Sequence, residues 1–367
     1  MPLAHKSILK NNLHLFKRNS VLQAYLHFPI PSAQILRPYW SIRLFIIKMS
    51  EFTISRRKFI RNSGLAIAGS SLGLDQFNLF HSDNYPLIDI HQHVHYVGRT
   101  DEQLLAHQST MGAKKTVLLP AGSVANTPAT HFGKSNGLKA DAWGNSACYE
   151  FTQKHKDYFF GANEVPDLPN ATKEIEKYLK MGAVVIGELK FGLDCDAPEM
   201  QAIYELAAAY DVPVLMHWQY KTFFYGYDRF YKMLEKYPKT NFIGHSMTVW
   251  ANISGNYKDW SNLYPKGEVE PGGLTVEYLK KYPNFYGDLS AGSGLFALER
   301  DKDFAKEFLH KFQNKLLFGS DCPDHFGTGK TCYGSRTIAL IRDLIDSKKV
   351  KKKLFYGNAK KLLKLPV

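Results

Sequence analysis

The sequence predicts a (β/α)8 barrel, a TIM barrel, over residues 85–367. Two observations carry this. Eight short apolar runs, mostly separated by helix-patterned segments, fill about 280 residues, which is the strand count and length of such a barrel. His, Glu and Asp then recur at the C-terminal ends of these runs, where barrel chemistry sits. A doubly wound open sheet is the alternative, but no glycine-rich phosphate turn follows the first run.

The first run, LIDIHQHVHYVG from Leu87, sets Asp89, His91, His93 and His95 at alternate positions. In a strand these share one face. A single buried His is ordinarily a core residue with a hydrogen-bond partner. A row of them is costly to bury unpaired, which is a first hint of a metal site. KTVLL from Lys115 is the second strand, followed by a long loop with His131 and Lys134. YFFGA from Tyr158 is the third. VVIGELK from Val184 is the fourth, with Glu188 and Lys190 sharing parity near its end. VPVLMH ends on His217, NFIGH on His245, NFYGDLS carries Asp288 and Ser290, and KLLFGSD closes on Asp321. Between them, stretches such as ATKEIEKYLKMG and PEMQAIYELAAAYD have helical periodicity. Any one strand-end polar residue has a bland explanation; five strands ending on His, Glu or Asp form a constellation.

The formal charge of +13 resembles a nucleic-acid signal until it is located. Residues 1–74 hold 11 Lys or Arg against Glu51 alone, while the remainder is nearly balanced at 36 basic and 33 acidic residues. The folded body is therefore not expected to bind nucleic acid. Cys148, Cys195, Cys322 and Cys332 form no CxxC pair and neither demand nor exclude disulfides.

SRRKFIRNSGLAIAGSSLGL, from Ser55, resembles a twin-arginine export signal: Arg56 and Arg57, then Phe59 and Arg61, then a weakly apolar run. The alternative is a basic amphipathic helix start. The resemblance implies the twin-arginine machinery as a partner and the periplasm as the destination. No signal-removal site stands out, Ala66-Ile67-Ala68 being early. Met49 lies where the initiator of such a signal belongs. Residues 1–48 thus read as a non-native or disordered extension, and 49–84 as signal and linker.

DIHQH at 89–93, VPVLMHW at 212–218, NFIGHS at 241–246, LLFGSDCP at 316–323 and the closing YGNAKKLLKL resemble the amidohydrolase superfamily. More narrowly, they resemble its amidohydrolase-related family of metal-dependent hydrolases and decarboxylases. The resemblance implies that His91, His93, His217 and Asp321 hold a divalent metal, most simply zinc. It implies that His245 completes a second site or polarises the substrate carbonyl, and that Asp321 takes a proton from the attacking water. Imidazole and carboxylate ligands suit zinc chemically, and bound zinc brings a water pKa to about 7. At strand four a glutamate or a carboxylated lysine bridges two metals in different branches of the superfamily. Here Glu188 is favoured as a ligand, against a structural Glu188–Lys190 pair, so one ion or two are expected.

The implied activity is hydrolysis of a small-molecule amide, lactone or related carbonyl by metal-activated water. The alternatives are a nonoxidative decarboxylase or lyase, and a catalytically silent metal- or ligand-binding barrel. Substrate-contacting residues are not legible. His95 and His325 fall in loops. Trp218, Tyr220, Tyr225 and Trp250 could wall a pocket, though such aromatics are more often packing. KKVKKKLF reads as a solvated helix face. A small-molecule substrate is the expected partner, and a homo-oligomer is compatible.

Overall fold

The computed structural model describes residues 86–121 and 142–366. The expectations for 1–48 and for the export signal, and the loop residues His131 and Lys134, lie outside the described residues.

Among the described residues eight strands form two parallel sheets. β1 (Leu87–Gln92), β2 (Ala113–Leu118) and β3 (Tyr158–Phe160) form the first, in that order. β4 (Ile186–Leu189), β5 (Val214–His217), β6 (Phe242–His245), β7 (Phe285–Asp288) and β8 (Leu316–Leu317) form the second, also in chain order. A parallel bridge between Ala162 and Ile186 links the sheets on one side. On the other, Ile90 N–H donates to Phe318 O at 3.2 Å and Asp321 N–H to His91 O at 2.8 Å. Single backbone bonds, not a strand ladder, thus bring β8 to β1. Helices separate most successive strands, as parallel pairing requires. Among the described residues no helix is long and apolar enough to cross a membrane.

Alternation along the strands sorts the core into two clusters. Val214 and Met216 belong to the large outer cluster under the helices. Leu215 joins Ile88, Ile90, Val117, Val185, Ile243 and Leu317 in an inner one, sealed by Leu362, Leu363 and Leu365 from the chain's end. His217 shares parity with Leu215, and His245 with Ile243, so both histidines continue the inner face.

β1 and β4 break this rule. The β1–β2 register shifts between Asp89 and Gln92, and the β4–β5 register between Ile186 and Leu189. Such an irregularity re-aims side chains. Ile88 and Ile90 point into the inner apolar cluster, yet the odd-numbered His91 and His93 still reach the site. Val185 is likewise inner, and Glu188 of opposite parity joins the histidines.

β8 is shorter than KLLFGSD suggests, because Phe318 N–H turns to Leu354 O at 3.2 Å and Asp321 adopts φ 42°. Leu354 and Phe355 are buried, so KKVKKKLF is a solvated face only at its lysine-rich start. Next to β8, Gly319 leaves no room for a side chain. A Cβ there would lie 2.7 Å from Asp288 Oδ1 and 2.9 Å from His91 Cβ. Gly319→Ala is expected to cost about 1–3 kcal/mol through overpacking, read as a lowered denaturation midpoint with an unchanged slope.

Candidate metal centre

Six strand-end residues converge where β1, β4, β5, β6 and β8 finish. Glu188 divides its carboxylate between two groups of imidazoles. Its Oε2 lies 3.7 Å from His91 Nε2 and 3.5 Å from His93 Nε2. Its Oε1 lies 2.6 Å from His217 Nδ1 and 3.6 Å from His245 Nε2. Asp321 spans the same divide, with Oδ1 3.5 Å from His93 Nε2 and Oδ2 3.6 Å from His245 Nε2.

Three of the four histidines are held from behind. Asp288 Oδ2 accepts from His91 Nδ1 at 2.7 Å and lies 3.2 Å from His245 Nδ1. Ser290 Oγ, 3.0 Å from His245 Nδ1, donates to the same oxygen at 2.8 Å. His93 Nδ1–H donates to Leu119 O at 2.8 Å. A carbonyl or carboxylate on Nδ1 fixes the tautomer that leaves Nε2 as a lone pair. The fit to a cation can be tested on unpaired atoms. His91 Nε2 and Asp321 Oδ1 are buried without a hydrogen-bond partner and face each other at 3.9 Å. Two acceptors aimed at one point are costly to bury unless a cation or proton lies between them. The donor set fits a divalent ion.

The electrostatics agree. Burial pushes the Glu188 carboxyl up, but His217 and His91 outweigh it and hold it well below the usual range. Asp321 is likewise held low against its burial, by His91, His245 and His93. Asp288 is lowered too, its burial offset by His245 and His91. Burial, with the Lys190 charge added, takes His217 down to about 3. Burial opposes protonation of His91, yet Asp321 and Asp288 raise it well above the usual histidine value. Three buried carboxylates thus demand positive charge, which either imidazolium or a metal ion can supply.

Among the residues singled out from sequence, the structure brings together His91, His93, Glu188, His217, His245 and Asp321. Lys190 leaves the row. Its Nζ lies 5.2 Å from the Phe223 ring centre, and no Glu188–Lys190 ion pair occurs among the described residues. Asp89 lies outside the cluster, its carboxylate taken by Ser320 and Gln108. His95 has φ 54° and stacks on Trp143 at 4.1 Å. His325 is exposed. Trp218 and Trp250 are buried packing residues, Trp250 donating to Asp288 O at 2.9 Å. Tyr220, Phe224, Tyr225 and Trp260 do line a cavity of about 740 Å³ after β5, which includes none of the six clustered residues.

Asp288 is a residue whose role sequence reasoning missed. It stood among the strand-end polar residues, but nothing in spacing separates a carboxylate that holds ligands from one that is a ligand. Asp288→Asn keeps the shape and weakens the hold on His91 and His245. Metal affinity is expected to fall about 10–100-fold, measured by competition with a chromophoric chelator.

The amidohydrolase family model matches residues 88–365. No curated protein matches the chain. Among solved structures, a protein from Pseudomonas putida assigned as a 2-pyrone-4,6-dicarboxylic acid hydrolase is 14% identical, with a TM-score of 0.52 over 77% of this chain and 98% of its own. An uncharacterised TIM-barrel protein from Bordetella bronchiseptica is 12% identical, with a TM-score of 0.51 over 76% and 99% of the two chains. At such identities the likeness speaks for the fold. Strand order, alternating helices and a family match running from β1 to the last helix agree, and the chain belongs to the amidohydrolase family.

Proposed function

We infer that this protein is an exported, metal-dependent hydrolase acting on a small-molecule amide, lactone or related carbonyl, and that its cluster holds two divalent ions. The observation that carries the reading is the divided carboxylate of Glu188, with one oxygen toward His91 and His93 and the other toward His217 and His245. His91, His93, Glu188 and Asp321 would hold one ion, and Glu188, His217 and His245 the other. Such an ion supplies a Lewis acid and brings a water toward a pKa of about 7.

The chain's own residues do the rest. Asp321, kept ionised by its imidazole neighbours, accepts a proton from the attacking water and returns it to the leaving group. Asp288 and Ser290 occupy Nδ1 of His245, which favours a ligand lone pair on Nε2 over a donor aimed at a carbonyl. The arginine pair Arg56–Arg57 supports export to the periplasm.

Purified protein incubated with a panel of lactones, amides and aromatic acids, with metal analysis alongside, tests the proposal. Metal-dependent acid release from a lactone or amide is the expected result. Carbon dioxide release from an aromatic acid, without hydrolysis, would replace hydrolase by decarboxylase. Full metal content with no turnover on any substrate would favour a silent barrel.

A further inference from the structure

A second group of metal-ligating side chains lies just beyond the first and shares no residue with it. His107 comes from the helix Asp101–Met111. Cys322 and Asp324 follow β8, and Cys332 caps the helix Tyr333–Leu344. One ligand atom from each lies within 4.8 Å of the others, and His107, Cys322 and Cys332 are fully buried. We propose that His107, Cys322, Asp324 and Cys332 form a structural zinc site that fastens the segment after Asp321 to the first described helix.

One separation falls within, and one just outside, those of a tetrahedral ion. Zinc bonds of about 2.3 Å to sulfur and about 2.0 Å to nitrogen imply edges of roughly 3.3–3.8 Å. Cys332 Sγ lies 3.5 Å from His107 Nε2, and Asp324 Oδ2 lies 3.9 Å from the same nitrogen. Cys332 and Asp324 are also oriented by their surroundings. Ser335 N–H, in the first turn of its helix, points at Cys332 Sγ at 3.3 Å, where a thiolate is favoured. Asp324 is set by Phe326 N–H at 3.0 Å and Gly327 N–H at 2.7 Å on Oδ2, and by Thr331 Oγ1–H at 2.9 Å on Oδ1. The two bonds on Oδ2 fill its lone-pair directions, so the spare one belongs to Oδ1. Cys322 Sγ lies 3.9 Å from Thr331 O and also pairs with the Cys332 thiol. A disulfide would employ the two sulfurs and leave His107 and Asp324 turned to the same point without a reason.

Sulfur makes the site separable from the catalytic cluster, whose ligand atoms are nitrogen and oxygen alone. The full-length protein, stripped by a chelator under reducing conditions, is reloaded with Co²⁺. Thiolate-to-cobalt charge-transfer absorption in the near ultraviolet is expected. Cys332→Ser should remove this band and about one metal equivalent per chain, while Glu188→Gln should lower total metal and leave the band in place. If the Cys332→Ser protein does not fold, alkylation of the parent serves instead: zinc should slow modification of Cys322 and Cys332 relative to the stripped protein, read by peptide mapping. A parent loaded with cobalt in the imidazole–carboxylate cluster but lacking the thiolate band would overturn the proposal. So would a Cys322–Cys332 disulfide found by non-reducing peptide mapping of the native protein.

Discussion

Asp321→Asn should lose about a hundred- to ten-thousand-fold in turnover while keeping most of its metal. The residue lies four positions past the end of β8 in FGSDCP, its N–H fixed on His91 O at 2.8 Å and its Oδ1 aimed at His91 and His93. Asparagine fits the same space but carries neither charge nor basicity. Glu188 and four imidazoles remain to bind ions, and Glu188 Oε1 is already engaged by His217 Nδ1 at 2.6 Å. Kinetics on the substrate found by the panel, paired with metal analysis of the same sample, decides the matter. Turnover within a few-fold of the parent at equal metal content would mean that Asp321 is not the proton acceptor.

Glu188→Gln should lower the metal content of the six-residue cluster from two ions to about one or fewer, because charge between two cations is lost along with a ligand. The amide also sets an NH2 group against imidazole lone pairs on one side, whichever way it turns. Activity should fall with the metal. Anomalous scattering from crystals of the parent and variant provides the count. A single ion in the parent, bound away from Glu188, would remove the two-ion reading and leave the carboxylate as a hydrogen-bond partner of His217.

Much of this was legible in the chain because a barrel imposes order on its sequence. Eight runs, each ending in a turn toward the same rim, make strand-end positions recognisable one by one, and His217, His245 and Asp321 fall there without ambiguity. Parity was less reliable. Counting by twos placed Glu188 and Lys190 on one face and set Asp89, His91, His93 and His95 in one row. The register shifts in β1 and β4 and the left-handed turn at His95 undo that count. Such irregularities depend on neighbouring strands, which a local pattern does not contain. Asp288 and the His107–Cys322–Asp324–Cys332 group were hidden for a related reason. Their members acquire meaning only when segments far apart in the chain meet.

The seam between β8 and β1 has a consequence for how the protein is made. There Ser320 bonds Asp89 across 231 positions, and Arg99 reaches Cys322 O across 223. Contacts of this range form late, since the intervening loop must close first. A polypeptide emerging from the ribosome would hold His91 and His93 early, but without the carboxylate that completes their site. Until the last strand arrives, the half-built rim exposes unpaired histidines and an open strand edge, the kind of surface that invites aggregation. Metal capture and closure of the fold would then be one event at the end of synthesis, and late chain termination should yield protein that neither binds its ions nor stays soluble.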